Sequence, residues 1–396
     1  MVNLPPEQLS FEDILRLSPT AKADLGLEFT PSEIAQQPET WLETFRIVSA
    51  KQREILAFLD AHKPATVTLV GAGTSDYVGR AVAPLINRIW KKPVCAIPST
   101  DLLTEMDAMI ESRPDAGREL WVSFSRSGDS FEGVKVLDAA IDRYPQIVHL
   151  IVTCSKDGKM ATEFATARPN VLCVVLDDRT NDRGLAMTSS FTNMIVAGQC
   201  LAHIQNLAEF EGVVSTISAI AAEHLGKIAD IGSKIAAKRF ERVCFLGSGP
   251  LKAAADESAL KVLELSGGFH STMAESFLGL RHGPLSWLNK SSLLVGFLSN
   301  DPVKRKIELG LLEDVRAKNA AGSTLAIGPD SQDLSSIADT AITFPLSTLA
   351  DDYLALPYVI FAQCLGLYSS LTAGLKPDAP SADGKIQRVV SNITIG

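Results

Sequence analysis

The tightest constraint on the fold is that the chain repeats itself. Residues 67–73 read Val-Thr-Leu-Val-Gly-Ala-Gly and residues 243–249 read Val-Cys-Phe-Leu-Gly-Ser-Gly, so two glycine turns stand 176 residues apart. Each β-branched run passes through its turn into a helical pattern, marked by Tyr77, Val78 and Val82 in the first copy and by Leu260 and Leu263 in the second. Two further apolar runs recur at nearly that offset: Trp121–Phe124 is answered by Leu293–Phe297, and His149–Thr153 by Ser323–Ile327. Strands alternating with helices make βαβ units, and a repeat on this scale predicts two parallel sheets in an α/β protein. We place the copies at 45–205 and 206–370, after an extension at 1–44 and before a tail at 371–396. A helix is expected from about Thr40 to Ala61, a connecting helical stretch at 205–236, a loop at Lys376–Ser381 and an extended end at Arg388–Ile395.

Composition narrows the function classes. With 46% apolar and 21% charged residues, the chain is of the folded globular kind. A net charge of −9 and the lack of any Lys/Arg run argue against a nucleic-acid partner, which asks for a basic stripe. An anionic small ligand is compatible with that charge, because a few amides and one or two cations hold a phosphate locally. The first ten residues carry two prolines and a glutamate and no apolar core, unlike a signal peptide. No run reaches the roughly 18 apolar residues of a membrane-spanning helix. The six cysteines are scattered without a CxxC pair and read as buried free thiols of a reducing compartment. The six histidines have no metal-binding spacing. The expectation is a cytoplasmic protein with no metal, no cofactor, no membrane association and no nucleic-acid partner.

Chemistry gathers in four segments. The turn Gly71-Ala72-Gly73-Thr74-Ser75-Asp76 has the glycine pair of a dinucleotide fingerprint. Its sixth position, however, is Asp76 (Lys252 in the second copy), and no acidic residue ends the next strand where a ribose needs one. Thr74 and Ser75 instead set hydroxyls beside the free amides of a helix N-terminus, which suits an oxyanion, a sugar hydroxyl or a plain helix cap. Ser125-Arg126-Ser127-Gly128-Asp129-Ser130 is more specific: three hydroxyls and a guanidinium between a strand and a helix beginning near Phe131 suit a phosphomonoester dianion. The second copy has Ser299-Asn300-Asp301-Pro302 there, without the arginine and with an acid, so the phosphate site is assigned to the first copy. The third segment, Thr180 to Phe191, sets hydroxyls before an apolar helical run and alone reads no further than a helix cap. In the fourth, Glu257, Lys261 and Glu264 fall within roughly 60° of a helix surface beside the stripe of Leu260 and Leu263. That is either an exposed Glu–Lys pair or a carboxylate, Glu264, partly buried as suits a general base. His282, wedged before Gly283-Pro284, is a turn residue or faces a pocket.

Together, Gly73-Thr74-Ser75, the SxSGxS pattern at 125–130, ESALKVLELS at 257–266 and RHGP at 281–284 resemble the sugar-isomerase (SIS) domain enzymes, such as the isomerase half of glucosamine-6-phosphate synthase. DRGLAMTSS at 182–190, LRHGP at 280–284 and PDAPSADGKIQRVV at 377–390 look more closely like the AgaS family, which acts as galactosamine-6-phosphate or tagatose-6-phosphate deaminase/isomerase. The resemblance covers about residues 40–395. It implies two tandem SIS domains, each a doubly wound, flavodoxin-like parallel sheet flanked by helices. It further implies a homodimer with shared active sites and a C-terminal tail over the site. Gly73, Thr74, Ser75, Ser125, Arg126, Ser127, Ser130 and Thr188 would hold a small-molecule phosphosugar. Glu264 would move a proton between C1 and C2, and His282, entering from the partner chain, would open the sugar ring.

Two departures from the family pattern matter. The lysine that the synthases carry near the C-terminus is replaced by Ser391, which we place among the substrate-binding residues. No glutaminase segment is expected, since the chain starts Met1-Val2, so ammonia is expected as a product. The implied reaction converts an amino-hexose 6-phosphate, galactosamine 6-phosphate by the closer likeness, to tagatose 6-phosphate and ammonia. A tagatose-6-phosphate ketose/aldose isomerase and a glucosamine-6-phosphate deaminase stay open. A non-catalytic phosphosugar sensor is more remote, because the N-terminal extension is too short for a DNA-binding domain and Glu264 and His282 would be idle. No role is assigned to Glu257, Lys261 or Arg281.

Overall fold

Both copies of the repeat close into the same five-stranded parallel sheet. In the first, β1 (Thr66–Gly71), β2 (Val94–Pro98), β3 (Glu119–Ser125), β4 (Val148–Thr153) and β5 (Val171–Val175) lie in the order β2-β1-β3-β4-β5. In the second, β6 (Arg242–Leu246), β7 (Ser271–Glu275), β8 (Ser292–Phe297), β9 (Ser323–Pro329) and β10 (Thr340–Phe344) lie β7-β6-β8-β9-β10, the same order again. This is the flavodoxin-like winding, which reverses direction between the first and third strands. The registers match as well: Leu69 stands opposite Val122, and Phe245 opposite Val295. The computed structural model describes residues 5–111, 118–165, 168–330, 334–381 and 383–389.

The glycine turns that announced the repeat are required by backbone geometry. Gly73 has φ 55° and ψ −124°, and Gly249 has φ 57° and ψ −128°, a region that a side chain all but forbids. Each turn aims a helix back along its sheet: Thr74–Trp90 after β1 and Pro250–Leu265 after β6. Helices cover the sheet faces, so β3, β4, β8 and β9 are buried along their whole length and are mainly apolar, with a few buried polar residues such as Ser123, His149 and Thr324. Val70 and Trp121, for example, pack with Leu102, Met106 and Val136 from helices Ser99–Glu111 and Phe131–Arg143.

The chain forms two compact units. One gathers Gln36–Asp182, Met187–Ser215 and Ile386–Gly396 around the first sheet, and the other gathers Met1–Ala35, Arg183–Ala186 and Thr216–Lys385 around the second. The helix expected over 40–61 is two helices, Gln37–Ala50 and Gln52–His62, because the backbone leaves helical geometry at Lys51, where ψ is 2°. The connecting helix runs from Ala208 to Ala236. Contrary to the sequence reading, one segment has the length and apolarity of a membrane span: Ala355–Thr372, of mean hydropathy 1.2. That helix is 94% buried and packs against Pro250–Leu265, as a core helix does. The reading of the cysteines is corrected at two positions. Cys95, on edge strand β2, is exposed and Cys173 is half-buried, whereas Cys154, Cys200, Cys244 and Cys364 are buried free thiols.

Candidate active site

In the first unit a cavity of about 120 Å³ opens at the carboxyl ends of β1 and β3, where the winding reverses. Ser75, Ser125, Arg126, Ser127 and Ser130 line it together. Gly73 and Thr74 belong to the same turn but do not line the cavity. Loop 125–130 is folded by its own hydroxyls. Ser125 Oγ accepts the Gly128 N–H at 3.0 Å, and Ser127 Oγ accepts the Asp129 N–H at 3.2 Å. Asp129 faces away and accepts the Lys159 N–H at 2.9 Å. Gly128 (φ 70°) lies against Gly158, where a side chain would meet both Gly158 and the Thr153 hydroxyl at 3.3 Å.

Arg126 is only 6% exposed, so its charge is held out of bulk water at the cavity wall. It donates to the backbone carbonyl of Arg388, from the C-terminal segment, which also lines the cavity. The Arg388 guanidinium in turn donates to the Asp182 carbonyl and to Asn181 Oδ1, both at 2.7 Å. Thr188 does not line the cavity: it is fully buried and bonds Asp182 through its N–H at 2.8 Å and its hydroxyl at 3.2 Å. Asp182 also accepts the N–H groups of Ser189 and Ser190, at 3.0 and 2.9 Å, and so caps helix Ser189–Ala202. Ser391 lies outside the described residues.

In the second unit, Glu264 sits on helix Pro250–Leu265 with its side chain 23% exposed. The Lys261 ammonium, 1% exposed, lies 2.5 Å from Glu264 and 3.5 Å from the fully buried Glu257. The trio is therefore not a surface pair, since one buried cation stands between two carboxylates. His282 and its neighbour Arg281 end a short 3₁₀ helix and are exposed.

The second copy has no free counterpart of the phosphate loop. Counting four residues beyond the paired Val122 and Val295, Ser299 stands where Arg126 stands. Ser299 Oγ and the Asn300 N–H donate to the Asp351 carboxylate at 2.6 and 2.8 Å, and Lys304 Nζ reaches it at 3.0 Å. Glu308 accepts the Ser299 N–H at 2.7 Å, and burial raises its pKa. Asp301 caps the following helix through the N–H groups of Val303 and Lys304. Among the described residues no group of three His, Cys, Asp or Glu side chains is placed to hold a metal ion.

Sequence reasoning missed four polar residues of the first cavity: Ser99, Ser123, Glu132 and Arg388. Ser123 had a signal, since alternation along β3 puts it on the same face as Ser125. Ser99 follows a strand that was not recognised, and Glu132 and Arg388 carry no spacing signal.

No protein-family model matches the chain. An AgaS protein of Streptomyces coelicolor is 39% identical over 383 residues, 95% of this chain and 97% of that protein. The D-galactosamine-6-phosphate deaminase AgaS of Escherichia coli is 34% identical, covering 93% and 95% of the two chains. The crystal structure of tagatose-6-phosphate ketose/aldose isomerase from Escherichia coli superposes with a TM-score of 0.79 at 32% identity, covering 88% of this chain and 95% of that one. With the winding of both sheets and relatives matched nearly end to end, the chain belongs to the AgaS family of SIS-type sugar-phosphate enzymes.

Proposed function

We propose that the protein converts galactosamine 6-phosphate to tagatose 6-phosphate and ammonia. The observation that carries this reading is the first-copy cavity, where the hydroxyls of Ser75 and Ser130, unpartnered among the described residues, stand with a buried guanidinium. That set answers a phosphomonoester dianion, and the deaminase named among the relatives supports the amino sugar. Ser125, Arg126, Ser127 and Ser130 take the phosphate and Gly73, Thr74 and Ser75 the neighbouring oxygens, while Thr188, bonded to Asp182, acts from behind the pocket by fixing the 182–190 segment. His282, from the second chain of a homodimer, moves a proton between the ring oxygen and the C1 hydroxyl and frees the aldehyde. Glu264 removes the C2 proton, acidified by the adjacent carbonyl, and returns it to C1. The C2 imine so formed takes up water and leaves as the ketose and ammonia. Lys261 holds the Glu264 carboxylate in place for both transfers.

A second reading, aldose–ketose isomerisation of a 2-hydroxy hexose 6-phosphate, is favoured by the isomerase among the solved relatives. It uses the same carboxylate and stops at the ketose. An ammonia-release assay over 2-amino and 2-hydroxy hexose 6-phosphates separates the two. Ammonia from galactosamine 6-phosphate, faster than from its gluco epimer, is the expected result. Fast tagatose/galactose 6-phosphate exchange with no ammonia from any amino sugar would leave the isomerase.

A further inference from the structure

We propose that Ser99, Ser123 and Glu132 form a second polar subsite in the first-copy cavity, one that takes a hydrogen-bond donor on the sugar part of the ligand. The proposal rests on the reading of this cavity as a phosphosugar site and adds to it the group that meets the sugar. Ser99 opens helix Ser99–Glu111 at the end of β2, Ser123 lies two residues before Ser125 on β3, and Glu132 is the second residue of helix Phe131–Arg143. All three line the cavity that Arg126 lines.

Each has polar atoms with no partner among the described residues. Ser99 is 1% exposed and its Oγ has no hydrogen-bond partner among the described residues. Glu132 is 9% exposed, and among the described residues its carboxylate makes no hydrogen bond or ion pair. The Ser123 hydroxyl is likewise unpartnered among the described residues. Buried polar groups are nearly always bonded, and a buried carboxylate is the costliest to leave alone. The field of its helix N-terminus offsets part of that cost, but no N–H bonds its oxygens.

The charge is also out of place for phosphate alone. A carboxylate in the wall of a dianion site repels the dianion, so it belongs there only if the ligand also brings a donor. An ammonium or a hydroxyl on a sugar phosphate is such a donor. In the second copy, the second residue of the helix that follows the third strand is Val303, 71% exposed, where the first copy has Glu132.

Calorimetric titration in the slow Glu264→Gln background tests this with inorganic phosphate, galactose 6-phosphate and galactosamine 6-phosphate. Adding Glu132→Gln should leave inorganic phosphate bound at least as tightly, since a repelling charge is removed, and weaken galactosamine 6-phosphate by about 10-fold or more, the loss of a charge-assisted bond. A greater loss for the amino than for the hydroxy sugar assigns the contact to the ammonium, and an equal loss assigns it to a hydroxyl. Ser99→Ala should give a smaller loss of the same pattern, and retained phosphate binding shows either variant folded. Sugar phosphates bound as tightly by both variants, or weakened only as much as inorganic phosphate, overturn the subsite and leave the phosphate site standing. Failure of the background protein to bind any sugar phosphate overturns the phosphosugar reading and the subsite with it.

Discussion

The two sheets share a strand order, a register and a glycine turn, and they differ in what stands four residues past the paired valine of the third strand. In the first it is Arg126, beside unpartnered hydroxyls in an open cavity. In the second it is Ser299, whose hydroxyl is already bonded to Asp351, and Glu308 takes the amide beside it. A loop at the end of this strand presents donors to whatever anion is near. One copy leaves that place open to a cavity, and the other fills it with its own carboxylates. Duplication therefore need not give two sites, because an internal anion turns a binding loop into part of the core. The second copy carries instead the buried ammonium–carboxylate trio of helix Pro250–Leu265.

The sharpest break of this division of labour is a complementation experiment. Chains with Arg126→Ala/Glu264→Gln, and separately chains with His282→Ala, should each lose at least ~10²-fold in turnover. Mixed, they should recover towards about a quarter of normal activity per chain under the proposed shared-site homodimer, in which half of randomly paired dimers would contain one intact site of two. If subunit exchange is verified by mass and activity stays absent, His282 acts within its own chain.

Next in size is a contrast between the two loops. Arg126→Ala should weaken every hexose 6-phosphate by about 2 kcal/mol whatever the sugar, with little change in melting. Asp351→Ala strands the Ser299 and Asn300 donors and should cost about 2 kcal/mol of stability with phosphate affinity unchanged. Loss for a single epimer would make Arg126 a reader of the sugar. A second equivalent of phosphate bound by the Asp351→Ala protein would show the second loop to be a latent site.

The smallest effect distinguishes the cores beneath the loops. His149, on β4 opposite Trp121, is fully buried with neither ring nitrogen bonded, and burial pushes its pKa from 6.5 down to about 3. The folded state holds this ring neutral while the unfolded chain takes up a proton below pH 6.5. Stability should thus fall as pH drops below that value, by about 1.4 kcal/mol per unit, until the folded ring titrates near pH 3. The matching residue in the second sheet is Thr324, bonded to Asp339. His149→Phe should flatten the part of the acid slope between pH 6.5 and 5 in urea melts. An unchanged slope would assign acid sensitivity to other groups.

How much of this was legible beforehand follows from where each strand lies. β1, β3, β4, β6, β8 and β9 were all found, and these are the central strands. β2, β5, β7 and β10 were missed, and these are the edges. A central strand has helices on both faces and is mainly apolar, which leaves a run to recognise. An edge strand such as β2 is half-exposed along its length and carries no such run. Loop 125–130 was legible for a similar reason, since its hydroxyls, guanidinium and glycine are contiguous in the chain.

By itself, the sequence determined the duplication, the parallel α/β class and the copy that holds the arginine, because each depends on neighbours within a few residues. Only the tertiary structure decided that Asp351 fills the second loop from 52 residues beyond Ser299, and that Arg388 meets Arg126 from 262 residues away. It alone decided that Lys261 is buried between Glu257 and the partly exposed Glu264, and brought Ser99 and Glu132 into one cavity. Periodicity reports which face of an element is apolar, whereas the partner of a polar group is set by packing between elements. No local pattern records that distance.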